Sequence, residues 1–457
     1  MTSARSRPER RGATTVAPTW LQRRSDRRTM EEEDDTPVAL DAADTTSRFH
    51  RRLAVIVVLG AVWRFGFVIA TKLHRELLLN DSLYYSWQGV QLADFVWFRD
   101  IMGARPAAEH GPLTAVLLAP VSWGEHALFQ QRLATTACGV ATVALIGLVG
   151  RRVGGDRVGL IAAGLAAVYP NLWINDGLVM SESLGCLLVA AVLLVILQLV
   201  EQPTPRKALV CGALIALAAL TRSELIVLLP LFWLVALRWL PRDVVLKTTL
   251  LATAGAILVL SPWVAFNMSR FDRPVLLTTN DGSTLVGANC DETYRGPALG
   301  GWSLFCVYDN PGPDGADDSV RTAEQRRIAL SYVRDNVTRV PVVVLARVAR
   351  TADLYGLGNL VDQDVGEERD RWASWAGIVS WWLLAPVAAF GLTLVRRRHA
   401  WVLAMPVVAV AVTTVLFYGT HRIRSPLEPV VVVGAAVAIA HWSRRRERAE
   451  PEAVTAP

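Results

Sequence analysis

Asp81 is the residue whose type and surroundings best suit chemistry. It stands in the segment LLLNDSLYYSWQ, where apolar and aromatic side chains flank its carboxylate. Partial desolvation raises the pKa and the basicity of such a group, and a positioned carboxylate that deprotonates a hydroxyl accelerates its attack by about 10² to 10⁴. The rings of Tyr84 and Trp87 could stack against a sugar. An Asp before Ser-Leu-Tyr-Tyr also suits the start of a helix, so a purely structural capping role stays open.

Long apolar runs surround this segment and predict how it is positioned. The chain has 457 residues, of which 52% are hydrophobic and only 19% charged, and most charges fall in the first 52 residues, short clusters, one long loop and the tail. Lipid-facing helices joined by polar loops produce that pattern. The sequence therefore predicts an all-α polytopic membrane protein with about ten transmembrane helices, within a range of roughly nine to twelve.

Basic clusters predict the orientation of these spans. Arg51 and Arg52 precede the first apolar run, and the positive-inside rule places them in the cytoplasm. The later basic clusters between spans fall on the same side, which predicts cytoplasmic N- and C-termini in a multi-pass protein of the cell (plasma) membrane. The predicted organisation is a disordered cytoplasmic extension at 1–50, a transmembrane domain at 51–446 and a cytoplasmic tail at 447–457.

Two outer loops, 72–125 and 267–373, are expected to carry the functional residues. The first contains apolar pieces at 88–97 and 112–122, which are too short to cross roughly 30 Å of hydrocarbon and should form helices at the outer interface. The second loop precedes the last three spans and includes an amphipathic stretch at 323–354, expected along the outer surface.

The cysteines, the charge distribution and the absence of certain motifs limit the classes of function that the sequence allows. Cys290 and Cys306 share the second loop, where a disulfide would contribute roughly 3 kcal/mol, but their pairing is left open. The net charge of +6 resides in arginines that flank apolar runs, so nucleic acid is not an expected partner. The sequence has no Gly-rich phosphate loop and no recognisable cytoplasmic nucleotide-binding domain. This argues against a nucleotide-driven pump and against a cytoplasmic nucleotide-sugar enzyme.

Several segments, in their order along residues 50–440, resemble the GT-C membrane glycosyltransferases. They include NDSLYYSWQ, EHGPLTAVL, YPNLWINDGLVMSESL, LTRSELIVLLP and HRIRSPLEPVVVV. The resemblance is to the branch that contains protein O-mannosyltransferases and the lipid A aminoarabinose transferase, similar to bacterial glycosyltransferase family 39. It implies a polyprenyl-phosphate sugar donor, an outer active site between the loops and membrane lipid, and inversion at the anomeric carbon with an Asp as the base. The acceptor could be a glycan, a lipid or a protein.

The resemblance assigns the catalytic role to Asp81, which matches the family's first-loop acid. Many relatives have an acidic pair there, whereas this chain has Asn80 before Asp81. The family's His-Pro-Pro-Leu segment matches residues 110–113, with Gly111 in place of the first proline. In some relatives the histidine contacts a metal, so a divalent metal stays open for His110, although no cluster of ligand spacing accompanies it and no metal ligands are assigned. Tyr84 and His110 are predicted to bind substrate.

A departing phosphate needs cations close by, and arginine suits that role because it can bind in a bidentate manner. The candidates at predicted outer span ends are Arg132, Arg222, Arg422 and Arg424. Of these, Arg222 and Arg424 are favoured as donor-binding residues, with snorkelling arginine as the alternative. Glu182, in the segment MSESL, is also predicted to face the donor cavity, although a carboxylate at a helix start is favoured for structural reasons too.

Two other function classes stay open from the sequence. In a transporter or flippase of lipid-linked sugar, Asp81 and Glu182 would bind a cation or a proton. In an inactive scaffold for cell-envelope assembly, the missing second acid at Asn80 would reflect lost catalysis. The residues do not specify the sugar, the acceptor, the oligomeric state or metal dependence.

Overall fold

The computed structural model describes residues 36–78, 81–101 and 105–454, and in these ranges it contains helices and no β-strand. The predicted all-α class is confirmed. The described residues divide into two compact units, with the boundary between Arg52 and Leu53. Helix α1, Thr36–Lys72, begins well before its apolar run. Residues 36–50 are therefore helical where a disordered extension was predicted, since Ala and Leu in this stretch favour helix. Residues 1–35 of that extension lie outside the described ranges.

Each of the ten apolar runs that were predicted as transmembrane spans forms a helix. Seven segments of the described residues are long and apolar enough to cross a membrane. These segments are Ser47–Lys72, Ala127–Gly154, Glu182–Glu201, Arg242–Met268, Arg371–Thr393, Arg397–Leu416 and His421–Glu447. The first of these segments lies in α1. The other six correspond, in the same order, to the helices α4 (Ala127–Gly154), α7 (Glu182–Glu201), α10 (Arg242–Met268), α17 (Arg371–Thr393), α18 (Arg397–Leu416) and α19 (Glu428–Val454).

Three of the ten runs form shorter helices, namely α5 (Asp156–Val168), α8 (Pro205–Thr221) and α9 (Leu228–Trp239). At 1.5 Å per residue, α5 and α9 are roughly 20 Å long, which is less than the hydrocarbon thickness of about 30 Å. Pro170 follows the end of α5 and opens the short helix α6, Pro170–Trp173. Arg222 ends α8 in an extended conformation. These interruptions place polar backbone and side chains next to the apolar helices.

Small residues allow the helices to pack closely, as in other membrane bundles. A Cβ atom on Gly391 of α17 would lie 1.9 Å from the carbonyl oxygen of Gly434 in α19. On Gly212 of α8 it would lie 1.7 Å from the carbonyl oxygen of Ala252 in α10. Glycine is therefore required at both crossings.

The two long loops, 72–125 and 267–373, fold into short helices. The first contains α2 (Asp81–Ala93) and α3 (Pro112–Leu118), which correspond to the two predicted short pieces. The second contains α11 to α16, and its amphipathic stretch is divided between two helices. The helices α11 to α16 are Asp281–Ala288, Asp291–Tyr294, Leu304–Tyr308, Asp318–Asp335, Val340–Thr351 and Leu357–Gly366. Cys290 and Cys306 form a disulfide, which settles the pairing that the sequence left open.

Buried ion pairs tie the loops to the helices. Arg64, inside the first span, binds Asp176 at 2.5 Å. Asp353 and Glu368 adopt left-handed backbone conformations, with φ of 56° and 68°, which cost energy for residues other than glycine. Asp353 binds Arg424 at 2.8 Å and Glu368 binds Arg132 at 2.9 Å. These pairs fix the segment that leads into α17.

Candidate active site

A cavity of about 350 Å³ lies where the loops 72–125 and 267–373 meet the ends of the helices. One part of its wall is apolar and is formed by Ile226, Val227, Val412, Leu416 and Phe417. Another part is polar and is formed by Glu109, Thr278, Asn280, Asp281 and Thr284. Charged residues lie between these two parts. The cavity can therefore accept a molecule that is apolar at one end and polar at the other.

Asp81 is the first residue of α2 and its carboxylate lines this cavity. Its Oδ2 atom accepts a hydrogen bond of 2.6 Å from Nη2 of Arg422, and its Oδ1 atom lies 3.4 Å from Nε2 of His110. Burial acts to raise the pKa of Asp81, but Arg422 and His110 outweigh it and hold that pKa well below its usual range. In this arrangement the carboxylate is ionised and is a weak base.

His110 immediately precedes the start of α3, and its ring lies 5.1 Å from the rings of both Tyr84 and Tyr85. Burial acts to lower the pKa of His110, yet the charge of Asp81 dominates and raises it. Gly111 brings this segment against α8, because a Cβ atom there would lie 2.2 Å from the carbonyl oxygen of Leu220. Glycine at position 111 thus allows the segment that carries His110 to lie against α8.

The guanidinium of Arg422 is at the centre of the charged residues. Each of its three nitrogens contacts a different carboxylate: Nη2 binds Asp81 at 2.6 Å, Nη1 binds Glu367 at 2.9 Å, and Nε binds Glu182. Arg422 belongs to the 3₁₀ turn His421–Leu427 that precedes α19. One cation therefore links α2, α7 and the residue that follows α16.

A second arginine, Arg222, lines the cavity in the interruption between α8 and α9. Its Nη1 atom lies 3.0 Å from Glu182, and its Nε atom lies 2.7 Å from Glu224. Glu182 is the first residue of α7 and is only 1% exposed. Glu182 does not line the cavity itself, but it binds both arginines that do and so holds them side by side.

The structure brings most of the predicted site residues together. Asp81, His110 and Arg222 line the cavity, and Glu182 supports the arginines. Tyr84 packs behind His110, and its neighbour Tyr85 lines the cavity instead.

Arg424 lies elsewhere, which corrects the choice made from the sequence. It is 1% exposed, binds Asp353 at 2.8 Å and Glu428 at 2.7 Å, and packs on the ring of Trp381. Arg422, two residues earlier, lines the cavity. The 3₁₀ turn directs the two arginines to different sides, and the sequence motif does not distinguish them.

Glu367 is a site residue that the sequence did not suggest. It follows α16 in the run GEERD, which resembles an ordinary solvated charge cluster. In the structure it joins Arg422 to Arg369. The only available signal was the density of charges in this short run.

The residues around Asp81 do not fit a divalent metal. Within the described ranges, no group of three or more His, Cys, Asp or Glu side chains is arranged as a metal site. Both carboxylate oxygens of Asp81 already face cationic groups, those of Arg422 and His110. A metal-binding histidine must be neutral, whereas the carboxylate beside His110 favours its protonated form.

Comparison with known families and structures agrees with this architecture. Residues 110–266 match the model of the dolichyl-phosphate-mannose-protein mannosyltransferase family, a GT-C family. The matched region includes His110, Glu182 and Arg222, but not Asp81 or Arg422. No curated protein sequence matches the chain.

Solved structures of GT-C enzymes share its fold. The archaeal oligosaccharyltransferase AglB from Archaeoglobus fulgidus, in complex with an inhibitory peptide and a dolichol-phosphate, is 16% identical over 89% of this chain, with a TM-score of 0.53. The apo form of the Archaeoglobus fulgidus oligosaccharyltransferase is 14% identical over 89% of this chain, with a TM-score of 0.53. The chain spans only 52% of the length of either protein. ArnT from Cupriavidus metallidurans, bound to undecaprenyl phosphate, is 14% identical over 84% of this chain and 77% of its own, with a TM-score of 0.41.

Proposed function

Because the chain has the fold of GT-C membrane glycosyltransferases, we propose that it transfers a sugar from a polyprenyl-phosphate donor to an acceptor hydroxyl. The transfer takes place at the outer face of the membrane and inverts the anomeric carbon, with Asp81 as the general base. One observation carries this proposal: a carboxylate and two arginines converge on a cavity that has an apolar wall. A lipid-linked phosphate requires that combination of apolar and cationic surfaces.

The donor is assigned to the side of the cavity formed by Arg222, Arg422 and the apolar wall. The two guanidiniums would bind the phosphate, and the apolar residues would contact the first prenyl units. AglB, whose fold this chain shares, was solved with a dolichol-phosphate, which supports a donor of this chemical class. The acceptor hydroxyl would enter from the polar wall, next to Asp81.

The reaction we infer is a single displacement. The acceptor oxygen forms a bond to the anomeric carbon as its proton passes to Asp81. The bond between the anomeric carbon and the phosphate oxygen breaks, and its electron pair leaves with the polyprenyl phosphate. Arg222 and Arg422 stabilise the charge that develops on this leaving group. Attack opposite the leaving group inverts the configuration.

The disulfide supports an outer location for the cavity. Cys290 and Cys306 are linked in the same loop that supplies Asn280 and Asp281 to the cavity wall. Disulfides persist in oxidising compartments and are rare in the cytosol. An outer loop before the last three spans also agrees with a cytoplasmic C-terminus, as the basic clusters predict.

Transfer of radiolabelled sugar tests the proposal directly. The full-length protein in lipid nanodiscs would be given polyprenyl-phosphate sugars and a cell-envelope fraction as the acceptor. We expect Asp81→Asn to reduce product formation by at least about 10²-fold, because a positioned base contributes that much or more. Glu324→Gln, which alters an exposed ion pair with Arg327, serves as the control and should retain activity.

Full transfer by Asp81→Asn would refute the role of Asp81 as base. If the wild-type protein moved lipid-linked sugar across a vesicle membrane and formed no glycosidic product, the transporter function would replace the proposed one.

A further inference from the structure

The position of Arg422 raises a chemical difficulty for Asp81 as a base. A carboxylate that is hydrogen-bonded to a guanidinium at 2.6 Å has little tendency to accept a proton. Arg422 is also a cation that the donor phosphate needs. The same guanidinium would thus serve two anions, and it contacts the carboxylate in the structure described here.

Resting on the proposed function, we propose that Arg422 couples donor binding to base activation: the donor phosphate displaces Asp81 from Arg422, and only then can Asp81 accept the proton of the acceptor. Without the donor, the carboxylate of Asp81 stays paired with Arg422 and does not activate the acceptor hydroxyl. Once the phosphate binds, the carboxylate loses its strongest partner and its pKa rises towards the range of a useful base.

The exposure of the three carboxylates indicates which of them the phosphate displaces from Arg422. Among the carboxylates that contact Arg422, only Asp81 lines the cavity. Asp81 is 31% exposed, compared with 23% for Glu367 and 1% for Glu182. An anion that arrives through the cavity therefore meets the Nη2 edge of the guanidinium, where Asp81 is bound.

The second partners of the three carboxylates lead to the same conclusion. Glu182 also binds Arg222, and Glu367 also binds Arg369. Asp81 has no second arginine among the described residues, and its other cationic partner is His110, at 3.4 Å. Glu182 and Glu367 therefore hold the guanidinium in place, while Asp81 is the carboxylate most easily released. Glu367 acts in this scheme as a positioning residue.

The charges around Arg422 make such an exchange necessary. The groups that face it are the carboxylates of Asp81, Glu182 and Glu367, the hydroxyl of Tyr418 and the neighbouring cations of Arg222 and Arg369. Each arginine is already paired with a carboxylate. A phosphate would add negative charge to this balanced cluster, and release of Asp81 lowers the cost of its binding.

Binding of a sugar-free lipid phosphate separates this inference from the proposed catalysis. The probe is farnesyl phosphate, a short polyprenyl monophosphate, titrated against the full-length protein in nanodiscs. We expect Asp81→Asn, although inactive in transfer, to bind it about tenfold more tightly than the wild type, because a competing charged hydrogen bond is removed. Asp81→Ala should show the same gain and guards against a folding defect in one variant.

Glu109→Gln is the matched control. Glu109 lines the same cavity and its substitution also removes one negative charge, but its carboxylate contacts no arginine within the described ranges. The affinity of this variant for farnesyl phosphate should stay within about threefold of the wild type, because Glu109 does not hold the guanidinium of Arg422.

Unchanged or weaker binding by Asp81→Asn would overturn the exchange, as would an equal gain in Glu109→Gln. Loss of transfer together with unchanged affinity would leave Asp81 as the base and refute only the coupling. Tighter binding with full transfer would show that the phosphate competes with Asp81 for Arg422, but it would refute Asp81 as the base and with it the coupling to base activation.

Discussion

At the scale of single residues, two arginines close in sequence should have separable roles. We expect Arg422→Ala to abolish sugar transfer, because Arg422 lines the cavity and contacts Asp81. Arg424→Ala should instead destabilise the protein by roughly 3 to 5 kcal/mol, since it removes the arginine partner of the buried carboxylates of Asp353 and Glu428. Transfer rates and thermal unfolding in detergent measure the two effects. A stable, fully active Arg422→Ala would contradict this assignment.

The sequence singled out several residues that line the cavity, because they stand in recognisable motifs. Asp81, His110 and Arg222 each lie next to a helix start or end, and all three line the cavity. The choice between Arg422 and Arg424 depended on the direction of a 3₁₀ turn that hydropathy does not describe. Glu367 is brought to the site only through long-range packing of the second loop. Neither local propensity nor charge patterning encodes such a contact.

At the scale of helices, close packing should be sensitive to a single methyl group. Gly391→Ala places a Cβ atom against the backbone of α19, and we expect it to cost about 1 to 3 kcal/mol through overpacking. Gly164→Ala in α5 is the control, because nothing lies within 4 Å of its Cβ position. That change should be neutral or stabilising by up to about 1 kcal/mol. Equal unfolding temperatures for the two variants would refute the predicted contact.

The helices also show which features hydropathy predicts and which it does not. All ten apolar runs are helical, because a run of apolar residues in lipid must satisfy its backbone internally. Their boundaries were less predictable at α5 and α9, which are too short to cross the membrane alone. Pro170 and Arg222 mark two of the helix ends, and Arg222 then contributes to the site. The interruption at Arg222 thus coincides with a residue that lines the cavity.

At the scale of the whole molecule, the orientation of the chain decides whether the cavity can receive an outer acceptor. We expect a membrane-impermeant reductant to open the disulfide between Cys290 and Cys306 in intact cells, after which an impermeant maleimide labels both thiols. The remaining thiols are buried and should stay unlabelled: Cys138, Cys186 and Cys211. A cysteine introduced as Arg397→Cys, in a predicted cytoplasmic cluster, should react only after permeabilisation. Labelling at Arg397→Cys in intact cells, with Cys290 protected, would invert the topology. The cavity would then open to the cytoplasm, and an outer-face transferase would be ruled out whatever the chemistry of Asp81.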